Sequence, residues 1–68
     1  MSTETRLFSE ALYWRKKFTA NKKEFGAYDR LTAVSFAKFE VLYNLIEESG
    51  LEEAYYQWLK EGGDEECL

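Results

Sequence analysis

The chain has 68 residues, a formal net charge of −4, no histidine and a single cysteine. A chain of this length forms one small domain at most. One cysteine excludes an internal disulfide, and the absence of histidine leaves too few nitrogen and sulfur ligands for a zinc site. We therefore predict one domain without metal or cofactor, which relies on self-association and on an aromatic-rich core for its stability.

Hydropathy and cysteine usage indicate where such a protein resides. No continuous apolar run approaches the roughly 20 residues that a membrane-spanning helix needs. A lone cysteine, Cys67, is typical of a reducing compartment. We expect a cytoplasmic protein with no membrane partner.

The first predicted helix covers about residues 3–24 and ends before Gly26, a residue suited to a left-handed helix terminus. Its apolar residues recur three and four positions apart, so they share one face of a helix. That face is predicted to consist of Leu7, Ala11, Trp14 and Phe18, with Phe8 and Leu12 widening it at one edge.

The second predicted helix covers about residues 29–48, with Asp29 as its N-cap. Apolar residues occupy roughly 220° of its circumference, so we expect it to be central to the fold. Four of them lie near the middle of this arc and are predicted to face the other helices: Leu31, Val34, Leu42 and Leu45.

The far side of the same arc is a predicted surface for self-association or for another protein, since extended apolar patches are uncommon on monomers. It consists of Phe36, Phe39, Tyr43 and Ile46. The alternative is that the first helix bends over these residues, with Trp14 and Phe18 filling the gap.

The third predicted helix covers about residues 51–61, and a break precedes it. Gly50 can end the second helix in a Schellman motif, with Leu51 making its hydrophobic contact. Alternatively, Ser49 caps the third helix, with Glu52 at the capping-box position. The predicted fold is a compact all-α domain of three helices over residues 1–61, followed by a short, acidic, flexible tail over residues 62–68.

Catalytic chemistry is poorly represented in this sequence. Without histidine, the commonest general base is missing, as are the Ser-His and Cys-His arrangements. The paired carboxylates have the spacing of a solvated helix face, and no glycine-rich phosphate loop occurs. We therefore predict a protein that is not an enzyme and binds no metal.

Charge is distributed unevenly along the chain. Residues 1–38 contain eight basic and four acidic residues, whereas residues 39–68 contain one basic and nine acidic residues. Four cations of the first helix fall within a sector of about 120° and are candidates for binding an anionic partner: Arg15, Lys16, Lys22 and Lys23. The alternatives are a solvated face or ion pairs with the acidic half of the chain.

These observations favour a non-catalytic protein-interaction module, a small regulator or inhibitor that acts as a homodimer or small oligomer and binds another protein. The other function considered is an oligomeric binder of an anion, nucleotide or nucleic acid that uses the basic face of the first helix. The acidic half could also meet a basic partner by imitating phosphate charge, or serve solubility alone.

Overall fold

A computed structural model describes residues 3–63 of the chain. Within this range the elements are three α-helices and a final π-type turn, with no strand: α1 (Thr3–Phe25), α2 (Arg30–Glu48), α3 (Glu52–Trp58) and the turn Leu59–Gly63. The predicted all-α, three-helix fold is confirmed. Residues 64–68 of the predicted tail lie outside the described residues.

The start of α2 is determined by a side-chain cap. Asp29 has an extended backbone, and its carboxylate accepts a hydrogen bond from the Leu31 N–H at 2.9 Å. This bond satisfies one of the amides that a helix leaves free at its first turn. The predicted N-cap is therefore confirmed.

Glycine ends both long helices in the left-handed conformation, with φ of 96° at Gly26 and 72° at Gly50. After α2, the Gly50 N–H donates to the Glu47 carbonyl at 3.0 Å and the Leu51 N–H donates to the Ile46 carbonyl at 2.9 Å. These are the two bonds of a Schellman motif. The alternative in which Ser49 caps α3 is wrong, because α3 begins without a side-chain cap.

The two long helices form an antiparallel hairpin. Phe18 of α1 meets Phe36 of α2, with ring centroids 5.1 Å apart. One turn nearer the start of α1, Trp14 lies beneath the Lys38 ammonium, which is 4.9 Å from its ring centroid. Residue numbers in α2 increase from one contact to the next while those in α1 decrease, so the two helices run in opposite directions.

Helix α3 closes one end of this hairpin and encloses the core. The buried cluster is formed by Phe8, Ala11, Ile46 and Tyr55. Phe8 lies 5.4 Å from the Tyr55 ring and 5.8 Å from the Trp58 ring, measured between centroids. The deepest packing is thus where all three helices meet.

This position of α3 corrects the predicted inward face of α1. Phe8 and Leu12, predicted at the edge, are buried together with Ala11, whereas Leu7, Trp14 and Phe18 are only partly buried. The rings of α3 pack on the Phe8 side of α1, which moves the buried face toward that edge.

The rotation of α2 about its axis also differs from the prediction. Leu31, Val34 and Leu45, predicted to face the other helices, are about half exposed. Leu42 is partly buried against the core, as predicted. The residues that face the rest of the fold recur at intervals of three and four: Thr32, Ser35, Phe39, Leu42 and Ile46.

Small hydroxyl residues explain this rotation. The Thr32 hydroxyl donates to the Gly26 carbonyl at 2.8 Å, and the Ser35 hydroxyl lies 2.9 Å from the Leu31 carbonyl. The Asn21 amide of α1 reaches the Ser35 oxygen at 3.3 Å. Thr32 and Ser35 can therefore be buried at little polar cost, and their small size lets α1 and α2 approach closely.

Candidate interaction surfaces

One side of α2 carries a row of apolar side chains that the fold leaves open. We call it the outer face; its apolar residues are Leu31, Val34, Val41 and Leu45. Their exposed fractions lie between 45% and 67%. With Lys38 they recur at intervals of three and four, so they form one straight stripe, separated by about 100° from the buried stripe of the same helix.

Lys38 lies in the middle of the outer face without placing its charge there. Its ammonium sits 4.9 Å from the centroid of the Trp14 ring, a cation–π arrangement that directs the side chain toward α1. The two residues share a groove of about 380 Å³ with Glu10 and Val41. The aliphatic stem of Lys38 thus continues the apolar stripe.

Charges of opposite sign stand at the two ends of α2. Arg30 is the first residue of the helix, and Glu47 and Glu48 are its last two. All three are exposed. The outer face is therefore an apolar stripe with a cation at its N-terminal end and two carboxylates at its C-terminal end.

The four residues predicted as an interface do not share one exposed surface. Ile46 is fully enclosed, with 0% of its side chain exposed, and Phe39 and Tyr43 are partly buried against the core. Phe36 remains 44% exposed beside Phe18. The predicted position of these residues, away from the other helices, is wrong because α2 turns this side toward α1 and α3.

The charged groups of the four predicted anion-binding residues have different neighbours on the surface. The Arg15 guanidinium lies over the Phe39 ring at 5.5 Å, and the Lys22 ammonium lies over the Phe18 ring at 5.9 Å. Lys16 lines a separate cavity of about 440 Å³ with Tyr13 and Lys17. Lys23 is exposed. That these four residues bind a single anionic partner stays a prediction.

A cavity of about 550 Å³ opens where the three helices meet, and we call it the aromatic cavity. Its walls combine residues of α1, α2, α3 and the final turn: Leu12, Arg15, Phe39, Tyr43, Tyr55, Tyr56 and Leu59. Neighbouring rings contact each other, with Phe39 stacked on Tyr43 at 5.6 Å. The wall of the cavity is therefore mainly aromatic and aliphatic, and Arg15 is the one cationic residue among the described residues that line it.

Two tyrosine hydroxyls form the polar part of this cavity. The Tyr43 and Tyr56 oxygens are 2.6 Å apart, and either can be the donor. The hydrogen bond to Tyr56, followed by burial and the negative charges of Glu52 and Glu47, raises the pKa of Tyr43 above its ordinary value. Tyr43 is therefore a neutral phenol at physiological pH.

Sequence reasoning selected Arg15 for its charge but did not find the aromatic cavity. Apart from Leu12, the other residues of the cavity wall lie at least 24 positions from Arg15 along the chain, so periodicity within one helix could not join them. The outer face can be seen in the sequence as the regular spacing of Leu31, Val34, Val41 and Leu45. Three of these residues, Leu31, Val34 and Leu45, are predicted to face the other helices.

Comparison with known proteins and a search for metal-binding side chains assign no function to the chain. No protein-family model matches the chain, and neither the curated proteins nor the solved structures include a significant match. Over the described range, 3–63, acidic and cysteine side chains do not gather into a group of three that could hold a metal ion. The helices in that range are too short or too polar to cross a membrane.

Proposed function

We propose that this chain is a non-catalytic protein-interaction module, a small regulator or inhibitor, that acts as a homodimer through the outer face of α2. The observation that carries the proposal is the stripe of four half-exposed apolar residues along a helix whose other apolar stripe is already buried. Continuous apolar surface of this kind is typical of association sites rather than of free monomer surface.

Charge complementarity favours a second copy of the chain as the occupant. When two α2 helices pair antiparallel, Arg30 of one copy approaches Glu47 and Glu48 of the other, and two-fold symmetry repeats this contact. The two helix dipoles are then also antiparallel. A parallel pair would place the cations together at one end and the carboxylates together at the other.

Side-chain register supports the same pairing. With Lys38 near the two-fold axis, Leu31 of one copy faces Leu45 of the other, and Val34 faces Val41. Each Lys38 ammonium is already turned toward its own Trp14, so the two charges do not meet at the axis. A single helix-on-helix contact buries less than about 1,200 Å², so we expect a weak dimer with a micromolar dissociation constant.

Sedimentation equilibrium over a concentration series tests this proposal. We expect the mass to rise from the 8.0 kDa of the chain toward twice that value. Val41→Glu should weaken the dimer by about tenfold or more, because the charge would be buried twice in the symmetric pair.

Asn44→Glu is the matched control: it introduces the same charge on the same helix, about 100° around the axis from the centre of the outer face. It should leave the mass curve unchanged. A chain that stays at the monomer mass at the highest concentration, or an equal effect of both variants, would contradict the proposal.

A further inference from the structure

The aromatic cavity has the size and composition of a small-molecule site. Its volume of about 550 Å³ lies within the roughly 300–1,000 Å³ of typical ligand pockets. Such pockets combine apolar and aromatic walls with a few well-placed polar groups. The outer face lies about 140° away around α2, so a ligand in the cavity would not compete with the proposed dimer.

The walls favour a flat ligand. Tyr55, only 3% exposed, contacts both the Tyr43 ring at 6.1 Å and the Tyr56 ring at 5.6 Å. The Tyr55 ring also stacks on the Trp58 ring, with centroids 6.3 Å apart. These rings hold one another in place, so the cavity presents preformed aromatic surfaces on which a further ring can stack.

Arg15 supplies the charge that selects the ligand. Among the described residues, its guanidinium meets the Phe39 ring rather than a carboxylate. The guanidinium is planar and carries its N–H groups in its own plane, and a cation–π contact does not use them as hydrogen-bond donors, so they can form two parallel bonds with a carboxylate. The part of the cavity wall that Arg15 forms is therefore suited to a carboxylate group.

The two tyrosine hydroxyls give their part of the cavity wall a different polarity. The Tyr43–Tyr56 pair holds two hydroxyl protons, of which the hydrogen bond between them uses one. The negative charges of Glu52 and Glu47 contribute to the raised pKa of Tyr43, so this part of the wall does not favour an anion. A ligand anion should thus lie at Arg15, with the neutral edge of its ring toward the tyrosines.

We propose that the aromatic cavity binds a small planar aromatic carboxylate, with its carboxylate on Arg15 and its ring against Phe39 and Tyr43. The ligand is held by stacking and by one charge-assisted contact. No bond is formed or broken, in keeping with a binding module. This proposal does not depend on dimerisation of the chain.

Titration of the ¹⁵N-labelled full chain with three probes by NMR tests this inference. The probes are 2-naphthoate, its neutral analogue 2-naphthamide, and cyclohexanecarboxylate, which has the charge without the flat ring. We expect 2-naphthoate to shift the amide signals of Phe39, Tyr43 and Tyr55 with a dissociation constant on the order of 1 mM or below. The other two probes should bind at least about fivefold more weakly, since each lacks one of the two contacts.

The variants Arg15→Gln and Lys23→Gln separate a specific contact from general charge attraction. Both remove one exposed cation from α1. Arg15→Gln should weaken 2-naphthoate binding about tenfold or more, while Lys23→Gln changes it less than about twofold. Amide signal dispersion reports whether each variant is folded.

Three results would overturn the proposal. The first is the absence of shifts at the cavity residues with any probe, and the second is equal affinity for 2-naphthoate and 2-naphthamide. The third is an equal loss in Arg15→Gln and Lys23→Gln. If Arg15→Gln fails to fold, Tyr43→Phe, which keeps the ring and removes its hydroxyl, should retain preferential binding of 2-naphthoate; loss of that preference would overturn the proposal equally.

Discussion

Two adjacent residues of α2 differ sharply in burial, and their truncation tests the rotation of this helix. Ile46 is 0% exposed and packs with Phe8, Ala11 and Tyr55, whereas Leu45 is 48% exposed on the outer face. Ile46→Ala removes buried methyl and methylene groups from the core and should cost about 2–5 kcal/mol. Leu45→Ala removes a similar volume from a half-exposed position and should cost about 1 kcal/mol or less.

The size of the predicted loss matters for a chain of this length. At about 0.05–0.15 kcal/mol per residue, the whole free energy of unfolding is on the order of 3–10 kcal/mol. Ile46→Ala therefore removes a large fraction of it, and Ile46→Val, at about 0.5–1.5 kcal/mol, provides a milder variant that should remain folded.

Urea unfolding followed by circular dichroism measures these losses. The chain should be kept below the concentration at which it dimerises, so that Leu45→Ala reports only on the monomer. Equal losses for the two alanine variants, or a larger loss for Leu45→Ala, would refute the rotation of α2 described above.

Two further predictions concern hydrogen bonds. Thr32→Val removes the partly buried hydrogen bond of 2.8 Å to the Gly26 carbonyl, which keeps the Asp29 N–H as a donor at 3.3 Å, and should lower the free energy of unfolding by about 1 kcal/mol. Thr19→Val loses an exposed bond to the Arg15 carbonyl and should cost less than about 0.5 kcal/mol. Equal costs in urea unfolding would contradict this prediction. Tyr43 should be among the last tyrosines to ionise in an absorbance titration, because its pKa is raised chiefly by the hydrogen bond to Tyr56. The stability that this raised pKa contributes is fully present below about pH 10, the ordinary tyrosine value, and is lost as the pH rises toward the folded-state value. Tyr56→Phe should return Tyr43 toward ordinary titration, and an unchanged titration would contradict the assignment.

The helices and their ends could be predicted because their causes are local. Asp29 caps α2 through its own side chain, and Gly26 and Gly50 supply the left-handed residues that stop the two long helices. Each of these features depends on a few neighbouring residues, which the sequence displays directly.

The rotation of α2 could not be predicted from hydrophobicity alone. Thr32 and Ser35 are not among the apolar residues from which an inner face is predicted, yet both are buried because their hydroxyls bond to nearby backbone carbonyls. The inner face has a regular spacing of three and four positions, which indicates a helical face only when small hydroxyl residues are accepted at core positions. Its residues are Thr32, Ser35, Phe39, Leu42 and Ile46.

The candidate surfaces follow from that rotation and from packing between helices. The observed rotation places Leu31, Val34 and Leu45 on the surface instead of in the core, and it places Ile46 in the core instead of at an interface. The aromatic cavity depends on how α3 approaches Arg15 and Phe39. The position of α3 relative to α1 and α2 cannot be predicted from the sequence of any one helix.

Antiparallel pairing of α2 through its outer face is tested most directly by NMR on a mixture of isotope-labelled and unlabelled chains. Filtered nuclear Overhauser spectra of this mixture report only contacts between different copies. We expect contacts between the methyl groups of Leu31 and Leu45 and between those of Val34 and Val41. Intermolecular contacts that involve other surfaces and omit these methyl groups, or none at the highest concentration, would contradict it.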